Sequence, residues 1–167
     1  MTTTAVGGFS LLKSVNFMDY RWVLLTASLM AFHFILTGFI AAGGRRKKTF
    51  TPEFLEKNFR EEHEAAFAGG SEKQKAISKE GYPDTGSGRY SAKLGYKEWF
   101  EFNVGQRIHY HYLESVTSVI CWLLIAGLLY PWVAVAFGGA YIVGRIIFHL
   151  GYSMKGPKGR VIGFLVC

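Results

Sequence analysis

Two stretches of this chain, residues 22–43 and 115–144, contain no Asp, Glu, Lys or Arg. The segment 44–98 between them holds 12 of the 19 Lys and Arg and 9 of the 12 Asp and Glu. A soluble domain spreads charge along the outer face of each amphipathic element. Segregation on this scale is what a bilayer imposes. About 20 apolar residues cross a hydrocarbon core of about 30 Å, and the first stretch is 22 residues long. The expected fold is therefore an all-α integral membrane bundle with three transmembrane helices.

The first span runs over residues 22–43, with Trp22 as an interfacial anchor and Arg45, Arg46, Lys47 and Lys48 as the stop. A second helix is expected over 99–129, polar in its first half and apolar in its second. The turn at Tyr130-Pro131-Trp132 leads into a third span over 133–152, where Gly138, Gly139 and Gly144 allow close helix approach. Residues 1–21 read as an N-terminal interfacial segment, in which Phe9, Leu11, Leu12, Val15 and Phe17 can lie flat at the membrane surface. They carry no cleavable secretory pattern. Residues 22–167 form the membrane domain, and the polar segment 44–98 is a long extramembrane insertion in it. Thr51, Pro52 and Glu53 make a helix start, and Leu55, Phe59, His63 and Ala66 recur on one face of an amphipathic helix ending near Gly69-Gly70. Residues 81–91 read as turn-rich loop, and residues 161–166 are too few to cross a bilayer.

The net charge of +7 flanks the apolar spans and leaves no free basic module, so it points to a membrane surface and not to nucleic acid. Cys121 and Cys167 have neither disulfide nor metal-ligand spacing.

Polar groups inside a membrane helix are costly and need a reason. Asn103, Arg107, His111 and Glu114 follow one another at spacings of 4, 4 and 3 on one face of the second helix. Arg145, His149 and Tyr152 do the same on the third, at spacings of 4 and 3. Two readings stay open. Arg107 and Arg145 could hold the carboxylates of an anionic ligand, with Glu114 accepting from its amine and Tyr152 donating to a developing anion. Alternatively, Glu114 neutralises Arg107 or Arg145 as a structural ion pair. No metal site is expected, because His109 and His111 lie about 200° apart on a helix. His33 reads as a hydrogen-bonded packing residue.

The run Phe102-Asn103-Val104-Gly105-Gln106-Arg107-Ile108-His109, followed by Leu113-Glu114, resembles the second-helix signature of the membrane-associated proteins in eicosanoid and glutathione metabolism (MAPEG). Tyr141-Ile142-Val143-Gly144-Arg145, then Gly151-Tyr152 and Pro157, is similar to that family's third helix. The first span, from Tyr20 to Lys48, is similar to the type-three microsomal glutathione S-transferases. The resemblance implies a four-helix bundle that trimerises and binds glutathione between subunits at the basic side. Arg107, Glu114 and Tyr152 would then contact glutathione, together with His111 and Arg145. Arg46 (or Arg45) and Arg160 would be the catalytic candidates, since a neighbouring arginine stabilises the nucleophilic thiolate.

The chain departs from the family pattern in four places. His111 stands where Asn is usual, and Phe148 where Tyr is usual. The stretch between the first two helices is longer, and the sequence ends at Cys167, where a fourth helix is expected to begin. These departures favour a membrane subunit derived from a microsomal glutathione transferase, with a degenerate site and an accessory role in a larger membrane complex. The alternative is an active glutathione transferase or peroxidase acting on lipophilic electrophiles or lipid hydroperoxides. Expected partners are the lipid bilayer and either other membrane subunits or a homotrimer. The expected location is the mitochondrial inner membrane or the endoplasmic reticulum.

Three crossings put 44–98 and 153–160 on one side, and together these hold 15 of the 19 basic residues. By the positive-inside rule that side is cytoplasmic or matrix-like. Protease added to that side of sealed membranes should cut within residues 70–95. Cleavage there from the opposite side only would reverse the topology.

Overall fold

The computed structural model describes residues 17–77 and 84–166. The interfacial reading of Phe9, Leu11, Leu12 and Val15 lies outside the described residues, as do positions 81–83 of the predicted loop and Cys167. Among the described residues every regular element is helical. In chain order these are α1 (Phe17–Thr49), α2 (Pro52–Ala66), α3 (Glu72–Lys75), α4 (Tyr96–Leu129), α5 (Pro131–Lys155) and α6 (Val161–Val166). Short 3-10 turns cover Ser91–Lys93 and Gly156–Arg160. Three helical runs are long and apolar enough to cross a membrane, the third being α5 with its continuation to Leu165.

The first span is longer than its apolar run. The Arg-Arg-Lys-Lys stop does not end the helix; α1 passes through it and closes only at Thr49. Lys and Arg are good helix formers with long stems, so the charges leave the membrane without unwinding the backbone. At 33 residues α1 is about 50 Å long, well beyond the hydrocarbon thickness. One π-helical stretch, Gly38–Gly43, interrupts its α-geometry just before the basic turns.

The described chain falls into two compact units. Among the described residues, one comprises 17–35 with 111–166, the other 36–77 with 84–110. In the first, Val23 and Met30 of α1, Tyr112, Val116 and Leu123 of α4, and Ala134 and Tyr141 of α5 form the core. Gly138 lets α5 approach closely, because a Cβ there would stand 2.5 Å from Thr26 Cγ2 and 2.8 Å from Leu123 Cδ1. Outward-facing Leu25, Phe32, Trp122, Phe137 and Leu150 are exposed, the arrangement expected where lipid takes the place of water. Trp22 and Trp132 lie 6.5 Å apart, at the start of the first apolar stretch and at the α4–α5 turn. Gly163 brings α6 back onto α5, where a Cβ would overlap the Phe148 backbone nitrogen.

The second unit builds a small core of its own around Phe50, Leu55, Phe59 and Phe102, all at most 5% exposed. Phe50 meets Phe102 edge-on at 4.9 Å, and Phe59 meets Tyr90 at 4.6 Å. Thr51 caps α2 as its sequence predicts, accepting from the Phe54 N–H at 3.3 Å. Of the predicted apolar face, Leu55 and Phe59 are buried, His63 is half-buried and Ala66 is exposed.

The loop before α4 is organised by Asp84, which sequence reading passed over. Its carboxylate accepts from the N–H of Gly86 (2.8 Å), Gly88 (3.2 Å) and Ser91 (2.8 Å), and from the Ser91 hydroxyl (2.8 Å). Gly86 has φ +105°, a conformation other side chains rarely adopt, and its carbonyl accepts from Trp99 Nε1 at 2.9 Å. Asn103 Nδ2 reaches the same carbonyl at 3.3 Å. Asn103 is thus engaged in holding the loop to α4, a structural role that its place in the polar stripe did not suggest.

Burial pushes the Asp84 carboxyl up, but the donors together outweigh it and hold the group below its usual value. A lowered folded-state value means that the stabilisation is complete above the unfolded value of about 3.9 and is lost as pH falls through the folded one. Asp84→Ala strands several buried donors and should destabilise this unit by about 2–3 kcal/mol. Limited proteolysis should then cut residues 84–95 faster at neutral pH. An unchanged cleavage rate would show that the loop is held by other contacts.

Candidate functional site

The buried face of α5 reads Ala134, Gly138, Tyr141, Arg145, Phe148 and Tyr152, spaced 4, 3, 4, 3 and 4. That is the seam of a helix packed as in a coiled coil, and it places an arginine in the middle of an apolar stripe. Arg145 is 2% exposed. A guanidinium at such a position is expensive unless its neighbours satisfy it. Its Cζ lies 4.3 Å from the Tyr112 ring centroid and 4.9 Å from that of Phe148. Desolvated contacts of this kind are worth about 2 kcal/mol each. One guanidinium nitrogen donates to His111 Nδ1 at 2.8 Å. Guanidinium has no acceptor, so His111 presents a lone pair at Nδ1 and carries its proton on Nε2.

The His111 ring stacks on Phe148 at 4.7 Å with 25° between planes, and Phe164 of α6 meets its edge at 5.5 Å and 70°. Phe148 in turn touches Tyr152, itself buried, at 5.6 Å. The cluster continues through Tyr112, whose hydroxyl donates to the Met30 carbonyl (3.2 Å) and lies 3.2 Å from His33 Nδ1. His33 is the hydrogen-bonded packing residue that its lone position suggested. Ser115 and Tyr141 hydrogen-bond at 2.7 Å beside it.

Three of the predicted site residues therefore belong to one cluster: His111, Arg145 and Tyr152. Glu114, in the same unit, is exposed on α4, and Arg160 is exposed in the turn after α5. The other two belong to the second unit. Arg46 is half-buried near the end of α1, and Arg107 is exposed on α4. In that unit His109 packs against Gly38 of the π-helical stretch, where a Cβ would come 3.0 Å from its ring, and hydrogen-bonds Thr37 at 3.2 Å.

Sequence reasoning did not pick out Tyr112, Ser115 or Phe164, and took Tyr141 only as part of a motif. The available signal was the core periodicity of α4, where Tyr112, Val116 and Leu123 recur at spacings of 4 and 7.

Long apolar helices, outward-facing apolar side chains and a buried arginine covered by aromatic rings define a polytopic α-helical membrane protein. The MAPEG family model matches residues 22–167, and the chain belongs to the MAPEG family. It is accordingly an integral membrane protein of glutathione-transferase-like type, in a family whose members typically use glutathione. No solved structure matches the chain.

Lysine carries a point charge that cannot stack between two rings. Arg145→Lys should therefore cost about 2 kcal/mol or more and lower the thermal midpoint in detergent by several degrees. A midpoint equal to that of the parent protein would contradict the caged-arginine account.

Proposed function

We propose that the protein is a membrane subunit derived from a microsomal glutathione transferase whose site has been turned into packing, and that it works as a structural component of a larger membrane complex. The observation carrying this reading is the enclosure of Arg145. The two positions that depart from the family pattern, His111 and Phe148, stack on each other, and both contact the guanidinium. Tyr112 covers it as well, and Phe164 closes over His111. A ligand carboxylate needs an open edge of two parallel N–H donors, and a side chain 2% exposed with these neighbours does not offer one. These residues fit a helix-packing role better than a glutathione cradle. We derive no transfer step through Arg46 or Arg160, and place the assembly in the mitochondrial inner membrane or endoplasmic reticulum, its basic side toward matrix or cytosol.

An active transferase or peroxidase remains the second reading because Arg107, Glu114 and Arg160 are exposed and accessible to a neighbouring copy. Calorimetry in nanodiscs separates the two. Two altered hydrogen bonds to a charged ligand cost about 1.5–3 kcal/mol each, weakening binding by roughly a hundredfold or more. No binding heat is expected at millimolar glutathione, and no conjugation of a lipophilic electrophile. His111→Asn with Phe148→Tyr should not restore either. Micromolar affinity that disappears in Arg107→Ala would overturn the proposal in favour of the transferase.

A further inference from the structure

We infer that the open cleft between α2 and the loop before α4 takes a phosphocholine group, its methylated ammonium held against aromatic rings and its phosphate held by Arg89. The inference concerns the polar insertion and is independent of the reading given to the cluster around Arg145. The cleft has a volume of about 310 Å³ and is lined by Phe59, Glu62, His63, Phe67, Arg89 and Tyr90. That is the lower end of the range for ligand pockets, so it suits a headgroup and not a whole lipid. Four rings line it in two contacting pairs. The centroids of Phe59 and Tyr90 lie 4.6 Å apart, and those of His63 and Phe67 lie 4.7 Å apart. His63 is fixed by donating its Nε2–H to the Gln74 carbonyl at 2.8 Å. Phe59 is buried, while Phe67 is 43% exposed just past the end of α2, so its ring is within reach of a solute.

Glu62 and Arg89 complete the cleft with one charge of each sign, joined at 2.7 Å between Glu62 Oε2 and Arg89 Nη2. Both side chains are exposed, and an exposed pair of this kind contributes at most about 1 kcal/mol, so a ligand can share or replace it. A zwitterion with adjacent phosphate and ammonium presents the same two charges reversed. Its phosphate meets the guanidinium fork of Arg89, and its ammonium lies beside Glu62 and the rings. Methylation decides the cation. A primary ammonium brings three N–H donors that need acceptors, and the one carboxylate lining the cleft is already engaged by Arg89. A trimethylammonium has no donor to satisfy and is attracted to ring faces within about 6 Å. The cleft also lies close to where the chain leaves the lipid. Tyr90 is 5.8 Å from Phe50, the residue that follows the basic end of α1. The six residues Gly44–Thr49 carry α1 about 9 Å past its apolar run, and the headgroup layer is itself about 5–7 Å deep. A lipid headgroup is therefore the nearest source, and soluble phosphocholine esters are the other.

The test uses the full chain in nanodiscs of phosphatidylglycerol, which carry no choline, titrated with soluble phosphocholine. Binding is followed by calorimetry and by saturation transfer to the choline methyl protons. Phosphocholine should bind, and phosphoethanolamine, trimethyllysine and inorganic phosphate should each bind at least about tenfold more weakly. Phe67→Leu keeps an apolar side chain without a ring and should lower the affinity about tenfold. Arg89→Ala should do as much by removing the partner of the phosphate. Both side chains are exposed, so the thermal midpoint should stay at the parent value; if Phe67→Leu lowers it, Arg89→Ala decides. In phosphatidylcholine nanodiscs the soluble probe should be displaced, which assigns the site to the lipid headgroup. Undiminished binding there supports the same chemistry with a soluble ester as its source. No binding in the choline-free nanodiscs would overturn the inference. Equal affinity for phosphoethanolamine, trimethyllysine or inorganic phosphate would overturn it too, as would full affinity in a variant that keeps the parent midpoint.

Discussion

A guanidinium inside a membrane helix cannot be hydrated where it sits, so the helices around it must be arranged to satisfy it. Arg145 occupies the centre of the buried α5 seam, and its cover comes from α4 on one side and from α5 itself on the other. Tyr112 then ties the arrangement to α1 through the Met30 carbonyl. The side chains of this unit are thus placed by one charge that must be enclosed. The glycine at 138 follows from the same demand, since three helices can surround the seam only where backbones come close.

The same enclosure explains why the family's chemistry is lost in the proposed reading. A ligand site needs polar groups that are oriented but unspent. In this chain one guanidinium nitrogen of the arginine is bonded to an imidazole, and two aromatic rings cover the group. His111 in place of the family's usual Asn supplies an acceptor and a stacking plane, and Phe148 in place of Tyr removes a hydroxyl and leaves an apolar face. Both changes favour a dry, packed interior. The insertion meets a separate requirement. With few apolar residues to bury, it relies on the aromatic group around Phe50 and on the Asp84 carboxylate, which gathers four donors from a glycine-rich loop.

Much of this was legible in the sequence. The charge-free stretches located all three membrane helices, and the Thr51-Pro52 start located α2. The stripe spacing singled out His111 and Arg145, which the structure joins by a hydrogen bond. What was not legible depended on tertiary contact. The basic stop after Gly44 looks like a helix end, but nothing in local propensity terminates a helix at Arg or Lys, and α1 continues to Thr49. Asn103 shares a face with Arg107, yet besides the Trp99 carbonyl one turn back it reaches the Gly86 carbonyl, 17 residues earlier. Tyr112 and Phe164 resemble any other membrane aromatic until the arginine that one covers and the imidazole that the other meets are seen. The six apolar residues after Arg160 are too short to span, and only the approach of Gly163 to Phe148 gives them a position.

The central claim is that this MAPEG chain is held by packing within a larger membrane assembly and does not work alone as a glutathione enzyme. The most direct measurement is the mass and composition of the particle obtained when native membranes are dissolved gently. The account predicts a large complex in which this chain is present alongside different polypeptides, with a particle mass that glutathione does not alter. A stable homotrimer of this chain alone, carrying bound glutathione, would contradict it.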